Sequence, residues 1–267
     1  MKEKIWEHIV AVREKSPLVH NITNYVVMNT SANALLAAGA SPVMAHAAEE
    51  VEDMVKIASA LVINIGTLSE PWVNAMGKAL QQANRLRKPA ILDPVGAGAT
   101  PYRNTTVERL LSAGRFDVIR GNASEIIAVS HSSSQTKGVD SIHSSEDAFE
   151  AAKQLNEKYS TVVCISGKTD YVIDGNKIAR IHNGHEMMTR VTGMGCTATA
   201  LIGAFAGVTD DFFMATLSAM SLMGVAGELA ARQAKGPGTL QLHFLDMLHS
   251  LTREQFTATV KIETAHV

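Results

Sequence analysis

The chain has 267 residues, of which 46% are hydrophobic, 19% charged and 5% aromatic, and its formal net charge is −2. The nearly balanced charge excludes the basic footprint of a protein that binds nucleic acid or an anionic membrane, and the low aromatic content argues against a surface that stacks nucleotide bases. The length suits one α/β domain, so we expect residues 1–267 to form a single domain.

The N-terminal segment, MKEKIWEHIVAVREKSP, is charged throughout and lacks the apolar core of a secretion signal. The longest nearly apolar run, ATALIGAFAGV, is too short to cross a bilayer. The two cysteines, Cys164 and Cys196, provide neither a disulfide framework nor a paired zinc motif. These features favour the reducing environment of the cytoplasm.

The predicted elements alternate between helices and strands along most of the chain. Apolar residues at helical spacing predict a helix in EKIWEHIVAVRE and a second in YVVMNTSANALLAAG, which ends at Gly39. Between them, SPLVHNITN is expected to be a polar interruption. PVMA predicts a short strand, EEVEDMVKIAS a helix, and the β-branched run ALVINIG a buried strand. A long helix is expected from Glu70 to Arg87, with Ser69 available as its N-cap.

Further along, AILDPVGAGATP, FDVIRGNASEIIAV and STVVCISGKTD each predict a strand that leads into a polar or glycine-rich segment. YVIDGNKIARI predicts an antiparallel hairpin, EMMTRV is another strand candidate, and TVKIET predicts a final edge strand. The segment after Cys196 is predicted to be mainly helical. SHSSSQTKG, residues 130–138, is expected to be a mobile surface loop, and residues 130–141 receive no role. The alternation predicts an α/β fold with a mostly parallel central sheet and helices on both faces.

Polar loops follow four of the predicted strands, in the segments NIGT, DPVGAGAT, IRGNASE and ISGKTD. A fifth loop, TGMGC, follows the strand candidate EMMTRV. Ligands of open α/β sheets bind at the carboxyl ends of the strands. If these strands belong to one sheet, the loops share one rim, and we expect the functional site there.

The TGMGC loop admits several interpretations. Gly193, Gly195 and Ala198 match the dinucleotide-binding pattern G-x-G-x-x-A, but that pattern requires a βαβ unit, and here further helix follows. Cys196 lacks the flanking glycines of a hydrolase nucleophile elbow, whereas a cysteine–histidine pair on another fold stays open. The remaining interpretation is an anion hole, in which the N–H groups of residues 193–197 and the helix N-terminus hold a phosphate.

Cys196 lies in the first turn of the helix predicted after this loop. The positive field there favours the thiolate, so we expect a pKa below the ordinary value of about 8.5 and a role in accepting a proton from a substrate hydroxyl. The alternative is a small residue tolerated in a tight turn. Cys164 lies in an apolar strand and is expected to be a core residue.

Asp93 and Glu125 are the candidate metal ligands. Asp93 ends the strand AILD at the rim, and Glu125 shares a helical face with Asn122. Two carboxylates beside a phosphate site suit Mg²⁺, although Asn122 and Glu125 equally fit a helix capping box. Arg120 either clamps a phosphate or is a solvated charge at a strand end.

The motifs SPLVHNITN, GASPVMA, NIGT, LDPVGAGATPYR, IRGNASE and TGMGC stand here in the order in which they occur in hydroxyethylthiazole kinases. The chain resembles these thiamine-salvage enzymes of the ribokinase-like superfamily from about Ser16 to the GPGT turn and the helix beyond it. The resemblance implies transfer of the ATP γ-phosphate, with Mg²⁺, to the hydroxyethyl group of 4-methyl-5-(2-hydroxyethyl)thiazole. It also implies a homotrimer with active sites between subunits.

The resemblance implies roles for individual residues as well. Cys196 occupies the position at which ribokinase relatives usually place a catalytic aspartate, above an anion hole formed at Gly193 and Gly195. Ser166 stands where threonine is expected, and it keeps the hydroxyl. The residues expected to contact the ligands are Asn24, Met44 and Gly193 for the thiazole, Arg120 and Ser166 for ATP, and Asp93 and Glu125 for the Mg²⁺ and phosphate network.

Three other functions stay open on the sequence. The first is a related kinase that phosphorylates a pyrimidine or sugar alcohol. The second is an ATP-dependent hydro-lyase on the same fold that repairs hydrated nicotinamide cofactors, and the third is a binding protein without catalytic activity.

Overall fold

The strands form one mixed sheet in the computed structural model, which describes residues 1–132 and 145–266. They are β1 (Leu18–Ile22), β2 (Ser41–Val43), β3 (Ala60–Asn64), β4 (Ala90–Asp93), β5 (Val118–Asn122), β6 (Val162–Ser166), β7 (Asp170–Asp174), β8 (Lys177–Ile181) and β9 (Ile262–His266). Their order is β2-β1-β3-β4-β5-β6-β7-β8-β9. The pairs from β2 to β6 are parallel, and β7, β8 and β9 extend the sheet antiparallel.

Helices cover both faces of this sheet. They are α1 (Lys2–Lys15), α2 (Met28–Ala38), α3 (Val51–Ile57), α4 (Glu70–Leu86), α5 (Pro101–Ala113), α6 (Ala123–Ser132), α7 (Ser145–Tyr159), α8 (Met194–Ala206), α9 (Phe212–Ala231), α10 (Pro237–Ser250) and α11 (Arg253–Thr259). Helices α3 to α7 bury one face, and α1, α2 and α8 to α11 bury the other. Alternate residues of β3 supply the two cores, with Leu61 on one side and Val62 on the other. The predicted α/β fold is confirmed.

Two predicted elements were wrong. LVHNI forms β1 in the interior of the sheet, because the polar side chains of His20 and Asn21 are buried with partners: His20 Nε2 bonds to Ala45 O at 2.8 Å, and Asn21 Nδ2 donates to Val19 O at 3.0 Å. EMMTRV forms a short 3₁₀ helix in place of a strand.

Several predicted boundaries agree with the structure. The hairpin turns at Gly175, whose φ is +58°, and TVKIET supplies edge strand β9. Ser69 is the N-cap residue of α4, but its side chain makes no capping hydrogen bond. Residues 130–132 of the expected loop end α6, and residues 133–141 lie outside the described residues.

Helix α9 is apolar because it is a core helix. Its 20 residues are long and apolar enough to span a bilayer, but 89% of the apolar window is buried within the fold. It packs against α1, α8 and α10. Packing therefore accounts for its composition.

Helix α8 runs antiparallel to the parallel strands and points its N-terminus at their carboxyl ends. Its C-terminal Gly207 lies near Ser59, before β3, whereas Thr199 Oγ1 lies 2.8 Å from Asp93 Oδ2, at the end of β4. Gly203 permits this close approach, since a Cβ there would lie 2.5 Å from Val62 Cγ2.

The close packing of α8 predicts opposite effects for two helical glycines. Gly203→Ala is expected to destabilise the protein by on the order of 1–3 kcal/mol, because the added methyl group overpacks the contact with β1 and β3. Gly77→Ala, in α4, is the matched control, since nothing lies within 4 Å of the place that its methyl group would take. This change is expected to stabilise the protein by up to about 1 kcal/mol. Urea unfolding measures both, and equal effects would contradict the packing of α8.

Candidate active site

The carboxyl ends of the parallel strands form one rim, as predicted from their polar loops. The TGMGC loop reaches this rim through α8 rather than through a fifth strand. Parallel pairing brings together residues that are far apart in sequence. The rim holds Asn24 after β1, Met44 after β2, Asp93 at the end of β4, Arg120 in β5, and Ser166 at the end of β6.

Asn24 and Cys196 meet in a chain of side-chain hydrogen bonds that ends at Asp93. Asn24 donates from Nδ2 to Asn64 Oδ1 at 2.9 Å and to Cys196 Sγ at 3.5 Å. Asn64 donates from Nδ2 to Asp93 Oδ2 at 2.8 Å, and Thr199 Oγ1 donates to the same oxygen at 2.8 Å. A predicted substrate contact, the predicted catalytic cysteine and a predicted metal ligand therefore belong to one network.

The carboxyl group of Asp93 is fully buried. Burial raises the pKa of this group to about 6, although the charge of Arg120 and the hydrogen bonds from Thr199 and Asn64 oppose the rise. Its Oδ1 is buried and accepts no hydrogen bond from the described part of the chain. Oδ1 is therefore the atom with which Asp93 can bind a further cation or hydrogen-bond donor.

Arg120 is an interior cation, so its interpretation as a solvated charge was wrong. It is 9% exposed, and its Nη2 donates to Ser166 Oγ at 2.7 Å. Burial works against its charge, but this is outweighed by nearby acidic groups, led by Asp93, which raise the pKa of the guanidinium. The two predicted ATP contacts thus lie side by side, next to the buried carboxylate.

The glycines of the loop let the first turn of α8 pack closely against the rim. Gly193, the N-cap of α8, has φ +83°, and a Cβ there would lie 2.7 Å from Val27 Cγ1. A Cβ on Gly195 would lie 2.9 Å from Arg120 Nη1. The first intrahelical bond runs from Thr197 N to Gly193 O at 2.8 Å, so the N–H groups before it face away from the helix ladder. This geometry fits an anion hole formed by the N–H groups of residues 193–196. Thr197 is not part of it, because its N–H group is bonded within the helix.

Cys196 lies in the first turn of α8, but the expected lowering of its pKa was wrong. Burial is the main cause that raises the pKa of the thiol to about 11, and the charge of Asp93 adds to it. Hydrogen bonds from Asn64 and Asn24 offset only part of the rise. Removal from water disfavours the thiolate, so Cys196 is a thiol at neutral pH. Cys164 is a buried core residue, as predicted.

Glu125 forms the capping box that the sequence left as an alternative to metal binding. Its Oε2 accepts from Asn122 N at 2.8 Å, and Asn122 Oδ1 accepts from Glu125 N at 2.9 Å. Its Oε1 accepts from Gly96 N at 2.9 Å, which ties α6 to the glycine loop after β4. A cleft of about 720 Å³ opens beside Glu125, between this loop, α5 and α6.

Met44 lies just after β2 and is half-buried. The bond from His20 Nε2 to Ala45 O, at 2.8 Å, holds the backbone next to Met44. Tertiary pairing of β2 with β1 places Met44 at the same end of the sheet as Asn24. In the described residues, no group of three or more His, Cys, Asp or Glu side chains could hold a metal ion by itself.

Three residues that organise the rim were not predicted from the sequence. Arg103 donates to Ile65 O at 2.6 Å and to Gly66 O at 2.9 Å, and a further bond to Val95 O joins the loops after β3 and β4. The other two are Asn64 and Thr199, which hold Asp93. Asn64 could have been predicted from the sequence, because it is the polar residue that ends an apolar strand, as Asp93 is. Nothing in the sequence distinguishes Thr199 from the other residues of its apolar helix.

The dinucleotide-binding interpretation of the glycine loop was wrong. A strand must precede the loop in a βαβ unit, whereas a 3₁₀ helix, Glu186–Arg190, precedes this one. Helix α9 then follows α8 in place of a second strand. The glycines therefore serve a helix N-terminus that reaches the rim from the face of the sheet.

The buried carboxyl of Asp93 predicts a pH-dependent difference in stability between the wild type and Asp93→Asn. A carboxyl whose pKa is raised from 3.8 to about 6 in the folded state contributes stability at low pH that is lost as the pH rises through 6. Between pH 4 and 7.5, the free energy of unfolding of the wild type is expected to fall by up to about 3 kcal/mol relative to that of Asp93→Asn. Urea unfolding at both pH values measures this, with Asp246→Asn, on the exposed side of α10, as the control for charge loss. A constant difference would contradict the burial argument.

The chain is similar to known enzymes over nearly its whole length. A model of the hydroxyethylthiazole kinase family matches residues 9–254. The chain is 56% identical to a hydroxyethylthiazole kinase of Syntrophus aciditrophicus, over 97% of both chains. A solved hydroxyethylthiazole kinase protein of Pyrococcus horikoshii is 45% identical, with a TM-score of 0.92 and 100% of both chains covered. A ribokinase-like superfamily protein of Enterococcus faecalis shares the fold, with a TM-score of 0.64 at 14% identity and 95% coverage of both chains. The chain therefore belongs to the hydroxyethylthiazole kinase family, and its fold is ribokinase-like.

Proposed function

We propose that the protein transfers the γ-phosphoryl group of ATP to the hydroxyethyl group of 4-methyl-5-(2-hydroxyethyl)thiazole. The observation that carries this proposal is the meeting of Asn24 and Cys196, 3.5 Å apart, at the glycine-capped N-terminus of α8. Asn24, Met44 and Gly193 contact the thiazole alcohol in this proposal. Its hydroxyl group then lies between the network of Asp93 and the anion hole.

The phosphoryl group is held by positive groups at the rim. In this proposal the N–H groups of residues 193–196, which precede the first intrahelical bond, and the positive end of α8 bind the transferred phosphoryl oxygens. Arg120 and Ser166 contact the ATP phosphates. Phosphoryl transfer depends mainly on positioning and charge stabilisation, so these fixed donors supply the main catalytic effect.

The carboxylates at the rim would fit a Mg²⁺ ion. Asp93 Oδ1 is a buried carboxylate oxygen with no hydrogen-bond partner in the described residues, and Glu125 offers a second carboxylate near the glycine loop. Mg²⁺ prefers one or two such carboxylates and keeps several waters. When bound, the ion neutralises charge on the β- and γ-phosphates. Asp93 and Glu125 are the residues that would hold it.

Cys196 assists removal of the hydroxyl proton without being indispensable. A loose transition state leaves most of the proton on the alcohol until late in the transfer, so the reaction does not require a strong base, and only the thiolate form of Cys196 accepts the proton. The thiol is protonated at neutral pH, because its pKa is raised to about 11. Its contribution as a proton acceptor therefore grows as the pH rises.

Variants of Cys196 test this role. Cys196→Ala is expected to lower kcat more than it changes KM, and to lower it further at high pH than at neutral pH, because only the thiolate of Cys196 accepts the proton. Cys196→Asp is expected to keep or exceed the wild-type kcat at neutral pH, since a carboxylate is ionised where the thiol is not. The wild-type rate is expected to rise with pH further than that of Cys196→Asp. Steady-state kinetics from pH 6 to 9.5 measure these rates. Wild-type behaviour of both variants would contradict the proposal that Cys196 accepts the hydroxyl proton.

We also infer the assembly and the compartment. Tyr25 and Val26 directly follow Asn24, and each is 65% exposed in the single chain. A neighbouring subunit would cover these apolar side chains, which supports a homotrimer with its active sites between subunits. Residues 1–267 act as one domain in this proposal. Cys164 and Cys196 are both free thiols, which suits the cytoplasm.

A coupled ADP-release assay tests the proposed function. The thiazole alcohol is expected to give ADP and a thiazole monophosphate that mass spectrometry identifies. A pyrimidine alcohol and hydrated NADH are the comparison substrates, and ADP release without any substrate is the control. Faster turnover of either comparison substrate would replace the proposed function by the corresponding alternative, and no ADP with any of them would favour a binding protein.

A further inference from the structure

Asn64 has only one possible orientation of its side-chain amide. Gly66 N lies 2.9 Å from Asn64 Oδ1, and a backbone N–H can only donate, so the amide atom that faces Gly66 must be the oxygen. The nitrogen of the amide then faces Asp93 Oδ2, at 2.8 Å. The backbone of the β3 loop thus determines the direction of the hydrogen bonds in this network.

The orientation of the Asn64 amide determines that of the Asn24 amide. The atom of Asn24 that lies 2.9 Å from Asn64 Oδ1 must be a donor, so it is Nδ2. Its second hydrogen is directed to Cys196 Sγ at 3.5 Å. Both N–H bonds of the amide are therefore used within the protein. Within residues 1–132 and 145–266, no group donates to Asn24 Oδ1, so the end of Asn24 that is left for a ligand can only accept.

The surroundings prevent the side-chain amides of Asn64 and Asn24 from flipping. Asn64 is 1% exposed and Asn24 is 5% exposed. Gly66 packs directly on both, because a Cβ on Gly66 would lie 2.5 Å from Asn24 Nδ2 and 2.9 Å from Asn64 Oδ1. Arg103 in turn holds the carbonyl group of Gly66 at 2.9 Å. An amide flip in Asn24 would set two acceptors against each other in a buried place.

We propose that Asn64 is a positioning residue that presents Asn24 to the substrate as a hydrogen-bond acceptor only. The site then selects a thiazole that carries a hydrogen-bond donor, the hydroxyl group, and discriminates against a thiazole in which that hydrogen is replaced. This inference rests on the proposed function, because it takes the thiazole alcohol to be the ligand of Asn24. It assigns to Asn64 a part in specificity that is separate from its hydrogen bond to Asp93.

Binding of the alcohol and of its methyl ether, measured by calorimetry without nucleotide, tests the proposal. The wild type is expected to bind the alcohol about tenfold to hundredfold more tightly than the ether, because the ether leaves Asn24 Oδ1 without a donor. In Asn64→Leu the amide of Asn24 is free to flip, so the ratio of the two dissociation constants is expected to fall at least fivefold. Asn64→Asp still accepts from Gly66 N and Asn24 Nδ2, so it is expected to keep the ratio even if its kcat falls.

Asn156 provides a matched control far from the rim. Its Oδ1 also accepts from a glycine N–H, that of Gly175, at 2.9 Å, and its Nδ2 donates to Thr161 O and Asp174 Oδ1. Asn156→Leu removes a comparable buried amide and is expected to leave the alcohol-to-ether ratio unchanged. Circular dichroism and thermal melting establish that each variant is folded.

The outcomes separate the two proposals. Equal binding of alcohol and ether to the wild type, or a wild-type ratio in folded Asn64→Leu, would overturn the role of Asn64 and leave the proposed function intact. An equal loss of the ratio in Asn64→Asp and Asn64→Leu would also overturn it, because the hydrogen bond to Asp93 would then be the cause. Failure of the wild type to bind either compound would overturn both proposals.

Discussion

A carboxyl group buried at the centre of the sheet is the constraint on which the rest of the site depends. An ionised carboxylate away from water is unfavourable unless other groups compensate it. Asp93 receives that compensation from Asn64 on β3, Thr199 on α8 and the charge of Arg120 on β5. Each partner comes from a different element. The position of Asp93 is therefore linked to the packing of α8 on the sheet, and with it to the position of the glycine loop.

This arrangement has opposite effects on the two groups that flank the loop. The negative charge of Asp93 stabilises the guanidinium of Arg120 and destabilises the thiolate of Cys196. The charges at this site therefore suit a bound anion better than a strong nucleophile. A phosphoryl-transfer enzyme can work with this balance, because it depends more on fixed positive groups than on a strong base. A cysteine hydrolase could not, since its nucleophile is the thiolate.

The loops at the rim are held by side chains whose hydrogen bonds go to the backbone. Glu125 joins α6 to the loop after β4, and Arg103 joins that loop to the one after β3. Such bonds fix the positions of loops without helical or strand structure, which favours a preorganised site. The same principle operates at Gly66, whose N–H sets the amide orientation of Asn64 and, through it, of Asn24.

The sequence by itself determined the class of fold, the rim and the family, because apolar strands, helical periodicity and ordered motifs are local properties that a chain carries without its partners. It also predicted Asp93, Arg120 and Cys196 as site residues, and the structure brings the three close together at the rim. Only the tertiary structure decided that LVHNI is an interior strand, since the burial of His20 and Asn21 depends on partners distant in sequence. It likewise showed that Glu125 forms a capping box with Asn122, that Arg120 is an interior cation, and that the pKa of Cys196 is raised rather than lowered. A helix N-terminus can be recognised in a sequence, but desolvation and the charge of Asp93 reach Cys196 only when α8 packs against the sheet.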